Sequence, residues 1–307
     1  MPLPLRQFEL RSIIASGGMG TVYRAFDMTL HRMVAVKMLK KEMAGDQEVL
    51  TGFYREARAG AALNHTNIIH TYTFDEFEGQ PYLVMELADT DSLDRWIERA
   101  GRLPELDVLD IGIKVASALN TALKHNLLHR DIKPANILFN EEKEPKLVDF
   151  GLARVADEEK AEYESTIWGT PYYVAPEKIR REMEDFKSDM YSLGGTLYHA
   201  LTGRVPFDAP TVEELILAHV NLPLVPPIEV IPEITQATSD ALVKAMAKQP
   251  KDRFRTYDEF SMALIASRSP LLFKQLHVAD EPIEPEAPAQ PPTPPEEHKG
   301  GWWRRQS

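Results

Sequence analysis

Cysteine and long apolar runs are both absent from this 307-residue chain. Without cysteine there is no disulfide framework, no thiol nucleophile and no cysteine-based zinc site. A membrane-spanning helix needs about 20 consecutive apolar residues, and the first residues lack the apolar core of a secretory signal. We therefore expect a protein that works in the cytoplasm.

Positive charge is also in short supply, with 35 Lys and Arg residues against 47 Asp and Glu residues and a net charge of −12. Nucleic-acid backbones attract basic surfaces, so this balance predicts no nucleic-acid partner. An acidic surface of this kind favours solubility.

The first 85 or so residues are predicted to form short strands around one helix. Residues 34–36 and 82–85 are apolar, β-prone and bounded by turn or charged residues. Between them, residues 46–63 are rich in Glu, Ala, Arg and Leu, which favour a helix.

Beyond Glu86 the pattern becomes mainly helical. Apolar residues recur at spacings of three, four or seven, which marks the core face of an amphipathic helix. They are Leu106, Leu109, Ile113, Ala116 and Leu123. Thr211, followed by Glu214 and an apolar run, is typical of a capping-box helix start. The two halves together predict an α+β fold with a cleft between a small β-rich part and a larger helical part.

The C-terminal region is predicted to lie outside the folded part. The last clear helix is expected to end near Ser269, and residues 281–297 are dense in proline and acidic residues. Such a segment cannot bury a core, so residues 270–307 are predicted to form a disordered tether. The WWRR sequence at 302–305 leaves contact with a membrane interface as a second, less favoured interpretation.

A glycine-rich segment and a lysine form the first motif of chemical interest. Residues 15–22 read ASGGMGTV, and Lys37 follows fifteen residues later at the end of VAVK. Glycines let a hairpin close over phosphates and present backbone N–H groups to them. Each signal alone has a simpler explanation, because glycine-rich turns are common and a lysine that ends a strand is usually a solvated charge.

A second motif carries the residue types that phosphoryl transfer needs. Residues 129–136 read HRDIKPAN, and residues 149–151 read DFG. The reaction requires an acceptor for the hydroxyl proton and oxygen ligands for Mg²⁺. Asp131 is a candidate for the first role, and Asn136 and Asp149 are candidates for the second. Lys133 is placed to neutralise charge on the transferred group. The alternative is that these side chains only cap turns.

Together with APE at 175–177, these motifs resemble in order and spacing the eukaryotic-like (Hanks-type) protein kinases. The GGMGTVYRA wording is most similar to the bacterial branch of serine/threonine kinases. The resemblance covers residues 8–269. It implies a bilobal protein kinase fold with an ATP-binding N-lobe at 1–87, a catalytic C-lobe at 88–269 and a tail at 270–307. It also implies ATP and Mg²⁺ as cofactors, with Mn²⁺ as an alternative ion.

The resemblance further implies roles for individual residues. Glu56 is similar to the helix glutamate that pairs with the phosphate-binding lysine, although a plain surface charge is the alternative. The implied catalytic set is Asp131, Lys133, Lys37 and Glu56, and the implied metal ligands are Asn136 and Asp149. The implied nucleotide-binding residues are Ile14, Ala15, Ser16, Gly17, Gly18, Met19, Gly20, Val22, Ala35, Lys37, Met85, Glu86, Ala88 and Leu138. Ordinary core packing would explain the apolar members of that set almost as well.

Two structural contacts follow from the same resemblance. Asp189 is similar to the aspartate that braces the catalytic loop, and Glu177 and Arg253 are similar to a buried ion pair of the large lobe. Loss of either partner would leave a buried charge uncompensated.

Serine or threonine, rather than tyrosine, is the implied phosphate acceptor. Lys133 and the GTPYY segment at 169–173 are similar to serine/threonine kinases, and Thr170 is the implied substrate-side residue. The implied partners are protein substrates that present such hydroxyls.

Regulation is also implied by the resemblance. Thr166 corresponds to an activation-loop phosphorylation site, with Arg130 and Arg154 as the partners of its phosphate and Ser165 as the rival site. Because a loop cannot readily reach its own catalytic aspartate, we expect modification by a second copy in a transient homodimer.

The chain departs from the family pattern at Ala15, which stands where the first loop glycine is usual. The alternative function is a pseudokinase scaffold that binds nucleotide or protein partners without turnover. The presence of Lys37, Asp131 and Asp149 disfavours it. A small-molecule kinase is disfavoured by the APE sequence and the long segment before it.

Overall fold

The computed structural model describes residues 3–18, 20–150, 154–155 and 171–279, which form two lobes. The strands of the first lobe are β1 (Leu3–Leu5), β2 (Phe8–Ser16), β3 (Gly20–Asp27), β4 (Arg32–Leu39), β5 (Thr71–Phe77) and β6 (Gln80–Met85). They form one antiparallel sheet in the order β1-β2-β3-β4-β6-β5. The strands predicted at 34–36 and 82–85 are confirmed, since these residues lie within β4 and β6.

Both faces of this sheet are covered, which explains the continuous apolar runs in its central strands. Val36 and Val84 pack with Phe8 in one cluster. Leu83, one residue out of phase, packs with Phe53 in a second cluster. Since successive side chains of a strand point to opposite faces, these clusters lie on the two sides of the sheet.

Helix α1 (Gln47–Ala62) connects β4 to β5 and starts where the sequence predicts. The Asp46 carboxylate accepts the backbone N–H groups of Glu48 and Val49 at 2.9 and 3.2 Å, which caps the helix. Phe53 and Ala57 pack against the sheet. The same helix carries Glu56.

The second lobe is mainly helical. It contains α2 (Leu93–Ala100), α3 (Glu105–Lys124), α4 (Pro176–Ile179), α5 (Phe186–Thr202), α6 (Val212–Asn221), α7 (Pro227–Val230), α8 (Gln236–Ala245) and α9 (Tyr257–Ala279). Helix α3 packs against α5 and α9. Its Leu109 and Ala116 are buried in the main core, and Ile113 and Leu123 pack against that core from its edge. The predicted apolar face of this helix is therefore confirmed.

Short strands support the catalytic loop, residues 129–136. Strands β7 (Asp91–Ser92), β9 (Ile137–Phe139) and β10 (Pro145–Leu147) form a sheet in the order β10-β9-β7. Strand β8 (Leu127–Leu128) pairs with β11 (Arg154–Val155). Short 3₁₀ helices occupy Lys41–Met43, Pro134–Asn136 and Pro250–Asp252. The loop thus leaves one paired strand and enters another, which fixes both of its ends.

Side-chain caps set several helix starts in this lobe, among them those of α5 and α6. The Thr211 hydroxyl accepts the N–H of Glu214 at 3.2 Å, so the predicted start of α6 is confirmed. Asp185 caps α5 by accepting the N–H of Lys187 at 2.8 Å. Helix α5 is largely buried and carries Asp189 beneath the catalytic loop.

Helix α9 is longer than the sequence predicts. It continues past Ser269 to Ala279 with Pro270 inside it, so the predicted helix end is wrong. Proline removes one backbone hydrogen bond, but Leu271 packs against the main core and favours the helical path. Residues 280–307, which include the WWRR sequence, lie outside the described residues. Within the described ranges, none of the helices has both the length and the apolar character needed to cross a bilayer.

Candidate active site

Lys37 lies on β4 and forms an ion pair with Glu56 of α1, as the sequence predicts. Its Nζ is 2.7 Å from Oε1 and 2.6 Å from Oε2 of Glu56. The Asp149 Oδ1 atom lies 3.7 Å from the same nitrogen. Burial alone would lower the pKa of Lys37, but the two carboxylates raise it above its ordinary value. Lys37 is therefore held as a cation near the DFG segment.

A close approach between α1 and β5 helps to place Glu56. A Cβ atom on Gly60 would lie 2.3 Å from the Thr71 hydroxyl oxygen, so a larger residue would force the Thr71 side chain or the helix to shift. Gly60 and Thr71 also line a small pocket next to Glu56 and Asp149. Sequence reasoning missed this position, although a glycine inside a helical pattern is a signal of close packing.

Asp131 is held by its neighbours in the catalytic loop. Lys133 Nζ donates to Asp131 Oδ2 at 2.7 Å, and Asn136 Nδ2 donates to the same oxygen at 2.9 Å. The Asn136 amide also donates to the Asp131 backbone oxygen at 2.8 Å. Among the described residues, none donates a hydrogen bond to Oδ1 of Asp131. That oxygen is the atom suited to accept a proton from a substrate hydroxyl.

The backbone of the loop is anchored to a buried aspartate. Asp189 accepts the N–H groups of His129 and Arg130, each at 2.7 Å, which is the contact that the family resemblance implies. Arg130 has a φ of 66°, a left-handed conformation that is strained for a residue other than glycine. Burial raises the pKa of Asp189, against the effect of these hydrogen bonds. The aspartate therefore stabilises a backbone shape that the chain would not adopt by itself.

The His129 ring joins the catalytic loop to the DFG segment. Its Nε2 lies 2.9 Å from the Val148 carbonyl oxygen, and its Nδ1 accepts the N–H of Asp131 at 3.3 Å. The buried ring of Phe150 lies 4.7 Å from the imidazole ring. The segments that carry Asp131 and Asp149 are thus linked through one buried side chain.

Asn136 and Asp149 fit a divalent metal by the chemistry of their donor atoms. The Asn136 amide nitrogen is occupied by Asp131, so its amide oxygen remains to face a cation. Magnesium prefers oxygen ligands and usually binds through one or two side chains together with substrate phosphates. The described residues contain no cluster of three or more His, Asp or Glu side chains suited to a metal. The two oxygen donors of Asn136 and Asp149 suit a metal whose other ligands come from a bound phosphate group.

The predicted nucleotide-binding residues come from both lobes. Ala35 of β4 lies opposite Met85 of β6, and Val22 of β3 lies opposite Lys37. Leu138 belongs to β9 of the second lobe. These apolar residues have the character needed for the walls of an adenine site.

The segment that follows β6 is fixed by a contact that sequence reasoning missed. The Glu86 carboxylate lies 2.5 Å from Nζ of Lys146, a lysine that is nearly buried on β10. The Glu86 N–H donates to the His70 carbonyl at 2.8 Å. Ala88, two residues on, is buried. An ordinary-looking lysine between apolar residues gave no sequence signal for this pairing.

The β2–β3 hairpin carries the glycine-rich segment. The Gly17 N–H donates to the Gly20 carbonyl at 2.9 Å and closes the turn. A Cβ atom on Gly17 or Gly18 would meet no described atom within 4 Å, so the space beside them is open to a ligand. The remaining predicted contacts of the hairpin lie on β2, at Ile14, Ala15 and Ser16.

Met19, Thr166 and Thr170, three of the predicted site residues, lie outside the described residues. The backbone of Arg154 is described and lies opposite Leu128 in the β11–β8 pair. This pairing brings the Arg154 backbone beside the strand that leads into the catalytic loop.

Comparison with known proteins agrees with this geometry. The protein kinase domain family matches residues 8–263, and the chain belongs to that family. It is 36% identical over 268 residues to the serine/threonine-protein kinase PknB of Mycobacterium leprae, which covers 86% of this chain and 43% of the relative. It is 33% identical over 253 residues to the serine/threonine-protein kinase PrkC of Bacillus subtilis, which covers 82% of this chain and 39% of the relative.

A probable serine/threonine-protein kinase of Clostridium perfringens is 36% identical over 253 residues, 82% of this chain and 37% of the relative. The chain thus spans about two fifths of the length of the curated relatives that it matches. Membership of the family implies ATP, a divalent metal and protein substrates. The bilobal kinase fold predicted from the motifs is confirmed.

Proposed function

We propose that this domain is a serine/threonine protein kinase that transfers the γ-phosphate of ATP to hydroxyl groups of protein substrates. The observation that carries the proposal is that the candidate catalytic side chains form two groups, and that the members of each group contact one another. Lys37 contacts Glu56 and Asp149 in the first group. Asp131 contacts Lys133 and Asn136 in the second. Relatives named as serine/threonine kinases support the same activity.

Each residue has a defined part in the proposed reaction. Asp131 accepts the proton of the substrate hydroxyl as the hydroxyl oxygen attacks the γ-phosphorus of ATP, the bond from that phosphorus to the bridging oxygen breaks, and ADP leaves. Lys133, 2.7 Å from Asp131, stabilises the charge of the transferred group. Lys37 binds ATP phosphates and is kept in place by Glu56.

Asn136 and Asp149 are the residues that would hold the metal. We propose Mg²⁺, with Mn²⁺ as an alternative, because the protein offers amide and carboxylate oxygens and the phosphates complete the ligand set. When bound, the ion neutralises phosphate charge and orients the transferring group.

Incubation of the domain with ATP, Mg²⁺ and a generic basic protein tests the proposal. Asp131→Asn should lower turnover by roughly 10²–10⁴-fold, while nucleotide affinity changes little because the group acts on the hydroxyl. Asp208→Asn, which changes an exposed aspartate outside the site, is the control. Wild-type turnover in Asp131→Asn would show that the assignment is wrong, and no transfer by the wild type would favour the pseudokinase alternative.

We propose that phosphorylation of Thr166 by a second copy of the chain, in a transient homodimer, activates the enzyme. The support is the family resemblance around Thr166 together with the position of Arg130 next to Asp131. Mass spectrometry after ATP incubation should find phosphate on Thr166 in the wild type and none in Asp131→Asn incubated alone. Thr166→Ala should lose most of the activity. Full activity of Thr166→Ala with Ser165 unphosphorylated would contradict the switch.

A cytoplasmic location belongs to the same proposal, because ATP is available there and the cysteine-free composition suits a reducing compartment. Cell fractionation with antibody detection tests it, and recovery of the intact protein outside the cytoplasmic fraction would contradict it.

A further inference from the structure

Arg130 lies directly before Asp131 and is held at both ends of its backbone. Its N–H donates to Asp189 at 2.7 Å, and its carbonyl accepts Nζ of Lys178 at 3.0 Å. Its side chain is only 18% exposed. A largely buried guanidinium group requires a compensating negative charge, since an unpaired buried charge is strongly unfavourable.

Glu184 is the acid that faces this guanidinium. Its Oε2 lies 4.0 Å from Nε of Arg130, and its side chain is 16% exposed. Both atoms are buried, and neither has a hydrogen-bond partner among the described residues. The two groups therefore interact through charge at short range, without the direct hydrogen bond of a tight ion pair.

The position of Glu184 is set by the start of α5. Glu184 precedes Asp185, whose carboxylate caps that helix at 2.8 Å from the Lys187 nitrogen. The same helix carries Asp189, which binds the backbone of Arg130. One helix start therefore supplies a carboxylate to the backbone of Arg130 and a second carboxylate to its side chain.

We propose that Glu184 is a positioning residue for catalysis, because its carboxylate is the counter-charge that holds Arg130 and, through Arg130, the catalytic Asp131. The inference rests on the proposed kinase function. Without Glu184, the guanidinium group loses its compensating charge and turns toward solvent, which pulls on a strained backbone next to Asp131. A shift of about 1 Å in a catalytic group is enough to lower a rate by roughly 10²-fold.

A phosphate that formed direct hydrogen bonds to Arg130 would compensate its charge more strongly than a carboxylate at 4.0 Å. The effect of Glu184 should therefore be measured in Thr166→Ala protein, where the proposed phosphate is missing. In that protein, Glu184→Gln should lower kcat by about tenfold or more and leave the KM for ATP within about twofold. We expect kcat to fall while the KM for ATP stays nearly constant, because Arg130 adjoins Asp131, which acts on the substrate hydroxyl, and does not adjoin the groups that bind ATP.

Glu182→Gln is the matched control, since Glu182 is an exposed acid two residues earlier. It should leave kcat unchanged. Glu184→Asp keeps the negative charge and should retain more activity than Glu184→Gln. An equal loss of activity in Glu184→Asp and Glu184→Gln would show that the negative charge of Glu184 is not the cause of the effect.

A double-mutant cycle separates positioning from a general structural effect. If Glu184 acts through Arg130, Glu184→Gln should have no further effect on kcat in Arg130→Met protein. The same loss in both backgrounds, or no loss in either, would overturn the inference.

Amide hydrogen exchange of residues 129–136 gives a readout that does not need activity. Exchange in this loop should rise in Glu184→Gln and stay unchanged in Glu182→Gln, and equal exchange in both variants would overturn the inference. If exchange of residues 129–136 rises only in Glu184→Gln but the wild type transfers no phosphate, the result contradicts the proposed kinase function and leaves the contact between Glu184 and Arg130 supported.

Discussion

Two ion pairs, Lys37–Glu56 in the first lobe and Glu177–Arg253 in the second, use the same chemistry in different surroundings. Their shortest N–O distances are both 2.6 Å. The side chains of Lys37 and Glu56 are 22% and 12% exposed, whereas those of Arg253 and Glu177 are 0% and 1% exposed. Distance alone therefore does not distinguish a pair that serves the reaction from a pair that serves the fold.

The further partners of each pair show the difference. Glu177 also accepts the Ser188 hydroxyl at 2.6 Å, and Arg253 also donates to the Lys187 and Ala247 carbonyls at 2.7 and 2.8 Å. The strong donors of Arg253 and the acceptors of Glu177 are thus all used in contacts within the protein. Lys37 instead shares its charge with Asp149, a candidate metal ligand. We infer that the buried pair acts mainly on stability and the cleft pair mainly on turnover.

Arg253→Met should have the largest effect on stability. It leaves the Glu177 carboxylate buried without its cation, and breaking such a pair costs about 3–5 kcal/mol of unfolding free energy. Urea denaturation followed by circular dichroism measures the loss. Arg255→Met, which changes an exposed neighbour, should stay within about 0.5 kcal/mol of the wild type. A loss below about 1 kcal/mol for Arg253→Met would contradict the structural role of the pair.

Lys37→Met should have the next largest effect, and on a different quantity. Removal of a positioned charge from an active site lowers turnover by roughly 10²–10³-fold. The change in unfolding free energy should be clearly smaller than that of Arg253→Met, because Lys37 lies at a partly open cleft. Steady-state kinetics and urea denaturation of one preparation measure both, with the exposed Lys41→Met as control. If Lys37→Met destabilised the fold as much as Arg253→Met, the contrast between the two pairs would fail.

The Glu177–Arg253 pair should also make the unfolding free energy depend on pH, with a smaller effect than the substitutions above. Burial would raise the pKa of Glu177, but the hydrogen bonds and charge of Arg253, with the Ser188 hydroxyl, lower it. A carboxyl group with a lowered pKa in the folded state stabilises the protein above its unfolded pKa of about 4.3, and this stability is lost as pH falls further.

Ser188→Ala removes one of the groups that lower the pKa of Glu177. Its deficit in unfolding free energy should therefore be largest near neutral pH and should shrink below about pH 4.3. Ser192→Ala, which removes a hydroxyl that donates to the Ser188 carbonyl, should show a deficit that does not vary over this range. The same pH dependence in both variants would refute the assignment to Glu177.

The site residues that could be predicted are those that stand in short sequence motifs. Lys37, Asp131 and Asp149 each stand in a short motif whose spacing points to phosphoryl transfer, and the contacts of Lys37 and Asp189 follow the family pattern. The two-lobe architecture was equally accessible, because the short apolar, β-prone runs of the strands and the helical spacing in α3 are local properties of the chain.

The missed features depend on contacts between distant residues that look ordinary in sequence. Lys146 pairs with Glu86, and the Glu184 carboxylate reaches Arg130, across separations that no local pattern reports. The end of α9 was mispredicted for a related reason. Pro270 favours a helix end locally, whereas the packing of Leu271 on the core favours continuation.

Ala15 gives the smallest expected effect, and it tests the glycine-rich β2–β3 hairpin. Ala15 is exposed and lies opposite Val22 in the β2–β3 pairing, without a positive φ that would favour glycine. Ala15→Gly should therefore shift the KM for ATP by only a few fold and lower the unfolding free energy by about 0.5–1 kcal/mol, since glycine loses more backbone freedom on folding.

Gly20→Ala is the matched contrast to Ala15→Gly, because its new Cβ would lie 2.7 Å from the Met38 carbonyl oxygen. Backbone atoms at that distance must move, so Gly20→Ala should raise the KM for ATP more than Ala15→Gly does. Kinetic titration of ATP for both variants makes the comparison. A complete loss of activity or a hundredfold gain in ATP affinity in Ala15→Gly would show that Ala15 controls the hairpin in a way that its exposed, unstrained position does not predict.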